Sequence, residues 1–112
     1  MSAHVTTHVL DAVTGAPAVG LELTLSRHSD GVLDPIAAGV TDHDGRNGTL
    51  GPERLEPGTY RLVFGTGAYF AAAGTATFYP EVTIDFTVEA DRAHYHVPIL
   101  LSPFAYSTYR GS

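Results

Sequence analysis

Val82-Thr83-Ile84-Asp85-Phe86-Thr87-Val88-Glu89-Ala90-Asp91-Arg92-Ala93-His94-Tyr95-His96-Val97-Pro98-Ile99-Leu100-Leu101 is the stretch that decides the fold. Val82, Ile84, Phe86 and Val88 alternate strictly with Thr83, Asp85 and Thr87, the period of a strand with one dry face and one wet face. Ala90 to Ala93 turns the chain into a second alternating run. There Tyr95, Val97, Ile99 and Leu101 share one face, and His94, His96 and Pro98 the other. Ser102-Pro103 punctuates it. Beyond, Ala105, Ser107 and Tyr109 fall on one side, and Tyr106, Thr108 and Arg110 on the other. Chain ends are ordinarily polar and frayed. This one is aromatic and dense in imidazole, phenol, hydroxyl and guanidinium groups, so it reads as docked.

Upstream the same period recurs. Val5 to Asp11 is expected to form the first strand, with Val5, Thr7 and Val9 on one face and His4, Thr6, His8 and Leu10 on the other. Thr14-Gly15-Ala16-Pro17 is turn chemistry. Leu21, Leu23 and Leu25, interleaved with Glu22, Thr24 and Ser26, give a half-buried strand. A loop around Ser29-Asp30-Gly31 leads to a weaker strand over about residues 36–41, which Asp34-Pro35 is expected to keep short. Asp42 to Gly48 reads as a loop, with Gly45 and Gly48 flanking Arg46. Tyr60, Leu62 and Phe64 mark a further strand, entered through Pro57-Gly58. Only Gly67 to Gly74 has a helical composition, two turns at most, with Gly74 as its stop. Seven or eight short strands and one short helix make an all-β sandwich of two sheets, read as a single domain over residues 1–112.

Composition narrows the function classes. The 112 residues, 44% hydrophobic and 16% charged, suit an ordered globule with one core. A formal charge of −6 with six Lys+Arg argues against a nucleic-acid partner and against an anionic membrane surface. A small anion, needing one or two cations, stays compatible. Cysteine is absent, which removes disulfides, thiolate nucleophiles and Cys-based zinc sites. The start of the chain carries neither a basic nor an apolar leader-like run, and no segment has the length of a membrane span. A cytoplasmic location is the expectation.

The chemistry lies in a few residues. Six His among 112 residues raise a metal site, and His94-x-His96 spaces two imidazoles on one strand face. A third ligand, His8, His43 or a carboxylate, would have to join them; the expectation is no metal. Arg46 reads either as a solvated turn residue or as a cation held close to a ligand by its flanking glycines. Tyr106 and Tyr109 read as core or interface aromatics. No Gly-x-Ser-x-Gly elbow and no phosphate-binding glycine loop is present.

Several segments then match one family together. They are Thr7-His8-Val9-Leu10-Asp11 with Gly15-x-Pro17, and Thr41-Asp42-x-Asp44-Gly45-Arg46. Around the helical stretch are Gly67-x-Tyr69-Phe70 and Phe78-Tyr79-Pro80-Glu81-Val82. At the end are His94-Tyr95-His96-Val97-Pro98, Leu101-Ser102-Pro103 and Tyr106-Ser107-Thr108-Tyr109-Arg110-Gly111-Ser112. The chain resembles the transthyretin-like family and, within it, the 5-hydroxyisourate hydrolases of purine catabolism. The terminal Tyr109-Arg110-Gly111-Ser112 marks the hydrolases, and the hormone-carrying transthyretins lack it. The departures are Ala105, where the family usually has Gly or Ser, and the lack of a Trp before Pro35.

The resemblance implies a sandwich of two four-stranded sheets with a short helix between the fifth and sixth strands. It implies a homotetramer, a dimer of dimers with active sites at the dimer–dimer interface. It maps the functional positions onto His8, Arg46, His96, Tyr109 and Ser112, with His8, Arg46 and Tyr109 also binding substrate, and calls for no cofactor. The implied reaction opens the six-membered ring of 5-hydroxyisourate to 2-oxo-4-hydroxy-4-carboxy-5-ureidoimidazoline. Two rival readings share parts of this pattern: a carrier of small aromatic ligands, and a His-x-His metal protein.

Overall fold

Each alternating run folds as a strand with its apolar side turned inward. A computed structural model describes residues 3–111. Its elements are β1 (Val5–Asp11), β2 (Ala16–Pro17), β3 (Glu22–Ser29), β4 (Val32–Val40), β5 (Arg46–Asn47), β6 (Gly58–Phe64), α1 (Thr66–Ala72), β7 (Val82–Val88), β8 (Tyr95–Leu101) and β9 (Tyr106–Thr108). One sheet runs β2-β1-β8-β9, with β5 also paired to β1; the other runs β4-β3-β6-β7. All pairings are antiparallel except β1 with β8, which is parallel. The resemblance implied two four-stranded sheets. The described residues instead give five and four strands, because the two-residue ladders β2 and β5 join the first sheet. The helix therefore follows the sixth strand, not the fifth.

The inward rows form one core. Val5 and Val9 of β1, Leu23 and Leu25 of β3, Leu62 and Phe64 of β6, and Ile99 and Leu101 of β8 are all buried. Each such side chain contributes about 1.5–3 kcal/mol by leaving water. The strictest alternation in the sequence, β7, is not the best buried: Val82 and Val88 are, whereas Ile84 and Phe86 are half-buried. β7 is an edge strand, so its central inward residues face an open end of the sandwich.

Three local expectations need correction. The strand after Asp34-Pro35 is not short: β4 runs nine residues, Val32–Val40. It lies on the sheet edge, and its register with β3 shifts between Leu25 and Ser26, where Pro35 sits. An edge position with a bulge accommodates the missing N–H. The loop at Ser29-Asp30-Gly31 is a two-residue hairpin, with φ of 49° at Asp30 and 79° at Gly31, the left-handed pair that matches strand twist. His4 does not join the outer face of β1. It precedes the strand and is buried, with Nε2 donating to Arg92 O at 2.7 Å and Nδ1 accepting from Leu55 N at 2.8 Å.

The helix is tied to the site-bearing sheet by a buried polar contact. Tyr69 donates its hydroxyl to Asp11 Oδ2 at 2.7 Å, while Asp11 Oδ1 accepts from Val13 N at 2.8 Å. Burial, then the Asp11 carboxylate, push the Tyr69 phenol up to about 12, so it stays a donor.

Candidate functional site

The loop before β5 is built to hold one residue. Asp42 turns its carboxylate back on the chain, Oδ1 accepting from Asp44 N at 2.9 Å and Arg46 N at 3.0 Å. Those two N–H groups hold the Asp42 carboxyl below its ordinary range. Gly45 follows with φ of 73°, and a Cβ there would lie 2.6 Å from Val9 O. Only glycine fits so close to β1 in that conformation. Arg46 therefore leaves a fixed backbone, paired in register with His8. Because Asp42 is spent on the backbone, the Arg46 guanidinium forms no ion pair among the described residues. What reads as loop in the sequence is thus a short strand that carries a cation.

Strand register assembles the rest. His8 pairs with Arg46 on one side and Pro98 on the other, and Thr6 pairs with His96. Thr6 and His8 of β1, and His96 of β8, are half-buried on the outer face. Thr6 Oγ1 lies 2.9 Å from His96 Nδ1 and 3.1 Å from His94 Nε2. Thr6, Arg46, Asn47, Gly48, His94 and His96 line an open hollow of about 330 Å³. Burial first, then the charges of Arg46, His94 and His8, hold the His96 imidazole below its ordinary pKa; a hydrogen bond to the Thr6 backbone works the other way. His96 is thus neutral at neutral pH, with a lone pair available for a proton.

The tail returns to this face. Ile99 pairs with Thr108 and His96 bridges to Gly111, one continuous register that sets Tyr109 opposite Pro98. Pro98 has no N–H, and its carbonyl accepts from the Thr108 hydroxyl at 2.8 Å, so the ladder lapses between those two pairs. Gly111 N then donates to His96 O at 2.8 Å. Tyr109, Pro98, His8 and Arg46 consequently form one row across the sheet, and Gly111, His96 and Thr6 another, two residues along.

The sequence-derived residues therefore fall out unevenly. His8, Arg46 and His96 are brought to one face. Tyr109 shares their row but is 68% exposed at the edge, where it also lines a second hollow of about 590 Å³ with Ile84, Phe86 and Tyr95. Ser112 lies outside the described residues. His94 and His96 converge on Thr6; among the described residues they share no third metal-type ligand, and the one such cluster, Asp42, His43 and Asp44, is exposed elsewhere. Thr6 is the residue that sequence reading missed. Alternation had put it on the face of His8, but its neighbour across the sheet was not in that signal.

Known proteins share this fold. A family model described as the HIUase/Transthyretin family matches residues 5–111. A protein of Salmonella typhimurium named 5-hydroxyisourate hydrolase is 46% identical over 106 residues, 94% of this chain and 78% of that protein. The structure of Klebsiella pneumoniae 5-hydroxyisourate hydrolase superposes with a TM-score of 0.86 at 41% identity, covering 96% of this chain and 98% of that one. Sea bream transthyretin in complex with thyroxine superposes with a TM-score of 0.91 at 35% identity, covering 96% and 94%. The fold, the segments around the site and these likenesses converge: the chain belongs to the HIUase/Transthyretin family.

Proposed function

We propose that this chain hydrolyses 5-hydroxyisourate, opening its six-membered ring to 2-oxo-4-hydroxy-4-carboxy-5-ureidoimidazoline, without a cofactor. The observation that carries the reading is an Arg46 with no ion pair among the described residues, in the same row as His8 and lining one hollow with a neutral His96. His96 accepts a proton from water at Nε2, and the hydroxide adds to the ring carbonyl. Arg46 forks onto the anionic, planar ring and stabilises the developing oxyanion. His8 orients the water or the substrate. Tyr109 and Ser112 serve the site from the tail, Tyr109 through its phenol and Ser112 through its hydroxyl. An electrophilic carbonyl held in place presents a barrier that positioning and electrostatics can meet.

The working assembly in this reading is a cytoplasmic homotetramer, a dimer of dimers, of a single domain spanning 1–112. Leu100, Phe104, Tyr106 and Tyr109 are 40–68% exposed in one chain, and apolar groups gathered on one face are a common mark of an interface. A second copy facing the outer surface of the β1–β8 sheet would cover it and close the hollow. Light scattering that gives a monomer at micromolar concentration would remove the interface from this reading.

The carrier alternative draws on the sea bream likeness, which has the higher TM-score. That score reports backbone shape, and shape does not separate carriers from enzymes. The lining of Arg46, Asn47, His94 and His96 is wet and charged, a poor seat for a large aromatic ligand. Purified protein added to freshly generated 5-hydroxyisourate should speed its ultraviolet decay manyfold. Tight thyroxine binding without such turnover would favour the carrier instead.

A further inference from the structure

His94 and His96 reach the same hydroxyl. Thr6 Oγ1 is 2.9 Å from His96 Nδ1 and 3.1 Å from His94 Nε2. A hydroxyl has one proton to give and lone pairs with which to accept. It cannot donate to two imidazoles; where it donates to one, the other must donate to it. The tautomers of His94 and His96 are therefore coupled through Thr6.

We propose that Thr6 and His94 form a proton relay behind His96, so that His96 takes a proton at Nε2 while its Nδ1 proton leaves through Thr6 to His94. The inference rests on the hydrolase reading above and deepens it. At the start His96 is neutral and donates Nδ1–H to Thr6 Oγ1, while Thr6 donates to Nε2 of a neutral His94 that keeps its own proton on Nδ1. His96 Nε2 takes a proton from water as the hydroxide electron pair forms the C–O bond and the carbonyl π pair moves onto oxygen. The Nδ1 proton passes to Thr6, and the Thr6 proton to His94. His96 ends neutral with its proton on Nε2, Thr6 ends as a hydroxyl, and His94 ends as imidazolium; its gained proton matches the one water lost. On collapse of the adduct the oxyanion pair re-forms the carbonyl, the C–N bond breaks and the ring nitrogen takes the Nε2 proton, all as His96 regains a proton at Nδ1. That Nδ1 proton is the one held on His94, which returns through Thr6 in the same step, so His96 is never left without a proton.

The environments of the two rings favour this direction. His96 is half-buried, its ring lies under Gly111, and it faces Arg46 and His8, so a cation on it is disfavoured. His94 is exposed, and water can solvate the charge there. Thr6 and His94 act through His96, as positioning residues that also carry the proton.

Thr6→Val removes the hydroxyl and keeps a β-branched shape suited to the strand; Thr6→Ser restores the hydroxyl. With freshly generated 5-hydroxyisourate, Thr6→Val should lower kcat by about 10²-fold and leave KM within about twofold. Thr6→Ser should recover most of the rate. His94→Gln hydrogen-bonds but cannot take up the relayed proton, and should lower kcat with nothing further lost when combined with Thr6→Val. Nitrogen-15 NMR should show the two rings titrating as a coupled pair in the unaltered protein and Thr6→Ser, and independently in Thr6→Val. Full kcat in a folded Thr6→Val, or a Thr6→Ser as slow as Thr6→Val, overturns the relay. If Thr6→Val does not fold, full kcat in His94→Gln overturns it. Absence of turnover in the unaltered protein refutes the hydrolase reading instead; the NMR titration then decides the relay by itself, independent rings overturning it.

Discussion

Replacing Gly111 with alanine tests whether the chain end is built against His96. A Cβ at Gly111 would stand 2.7 Å from His96 Cδ2 and 3.3 Å from His96 Cβ and Cγ. The first distance is about 1 Å short of an ordinary carbon–carbon contact. Something must move, and both routes of relief damage the site. If the imidazole turns by ~30° off its rotamer, the cost is about 0.5–1.5 kcal/mol. Its Nδ1 then leaves Thr6 as well, which costs about 1 kcal/mol more. Rotation has little room, because His96 Cβ, fixed to the backbone, is also crowded. If the tail moves instead, the bond from Gly111 N to His96 O is lost, again about 1 kcal/mol. Neither route reaches the core, whose last residue is Leu101. The melting temperature should fall by about 4–8 °C if the tail yields and by about 6–20 °C if the ring does, while a ~1 Å misplacement of a proton-handling ring costs about 10²-fold in rate. The assay is the ultraviolet decay of 5-hydroxyisourate beside a thermal melt. A Gly111→Ala protein with kcat/KM undiminished would show that the tail does not press on His96, and the reasoning would fail.

Arg46→Lys keeps the charge but loses the planar fork, so kcat/KM should fall at least about tenfold; equal activity would make Arg46 a distant point charge. Because Arg46 helps depress the His96 pKa, Arg46→Gln should raise it. The neutral form is the base, so the acid limb of the kcat/KM profile should lie below the ordinary value of about 6.5. An NMR titration of His96 that does not rise in Arg46→Gln would refute that coupling. Tyr69→Phe strips one donor from the buried Asp11 carboxylate and should destabilise the fold by about 1–3 kcal/mol in denaturant melts; an unchanged midpoint would mean water replaces the phenol freely. A chain ending at Thr108 should keep its circular dichroism and lose nearly all ring opening, and full activity in it would leave Tyr109 and Ser112 without a role.

The sequence disclosed faces far better than neighbours. Period two sorted Tyr95, Val97, Ile99 and Leu101 inward and His96 outward, as found, because alternation follows directly from strand geometry. Period two says nothing about which strand lies alongside. That Thr6 meets His96, and that Tyr109 falls in the row of His8, come from a parallel pairing and a register set by the whole sandwich. β5 was hidden for another reason: a two-residue ladder is shorter than any period. Pro35 misled because a proline argues against a central strand, whereas β4 is an edge with a bulge. His4 misled because alternation was extended one residue past the start of β1. For the site, His8, Arg46 and His96 stood out as chemically odd residues before any neighbour was known, and the family resemblance chose among their readings.

The parallel union of β1 and β8 has a consequence for how the chain acquires its structure. The hydroxyl of Thr6 and the imidazole of His96 are 90 residues apart along the chain. β3 and β4 are instead joined by a two-residue turn, and β3, β4, β6 and β7 pair only with one another. Loop closure over nearly the full length is slow compared with zipping a hairpin. During synthesis β1 emerges first and must wait, unpaired on that side, until the last strands are released. Pulsed hydrogen exchange during refolding should therefore protect β3 and β4 amides before those of β1 and β8, and simultaneous protection would contradict this order. Catalytic competence, on this account, is the final event of folding, and a nascent chain interrupted before β8 holds a half-sandwich with no site on it.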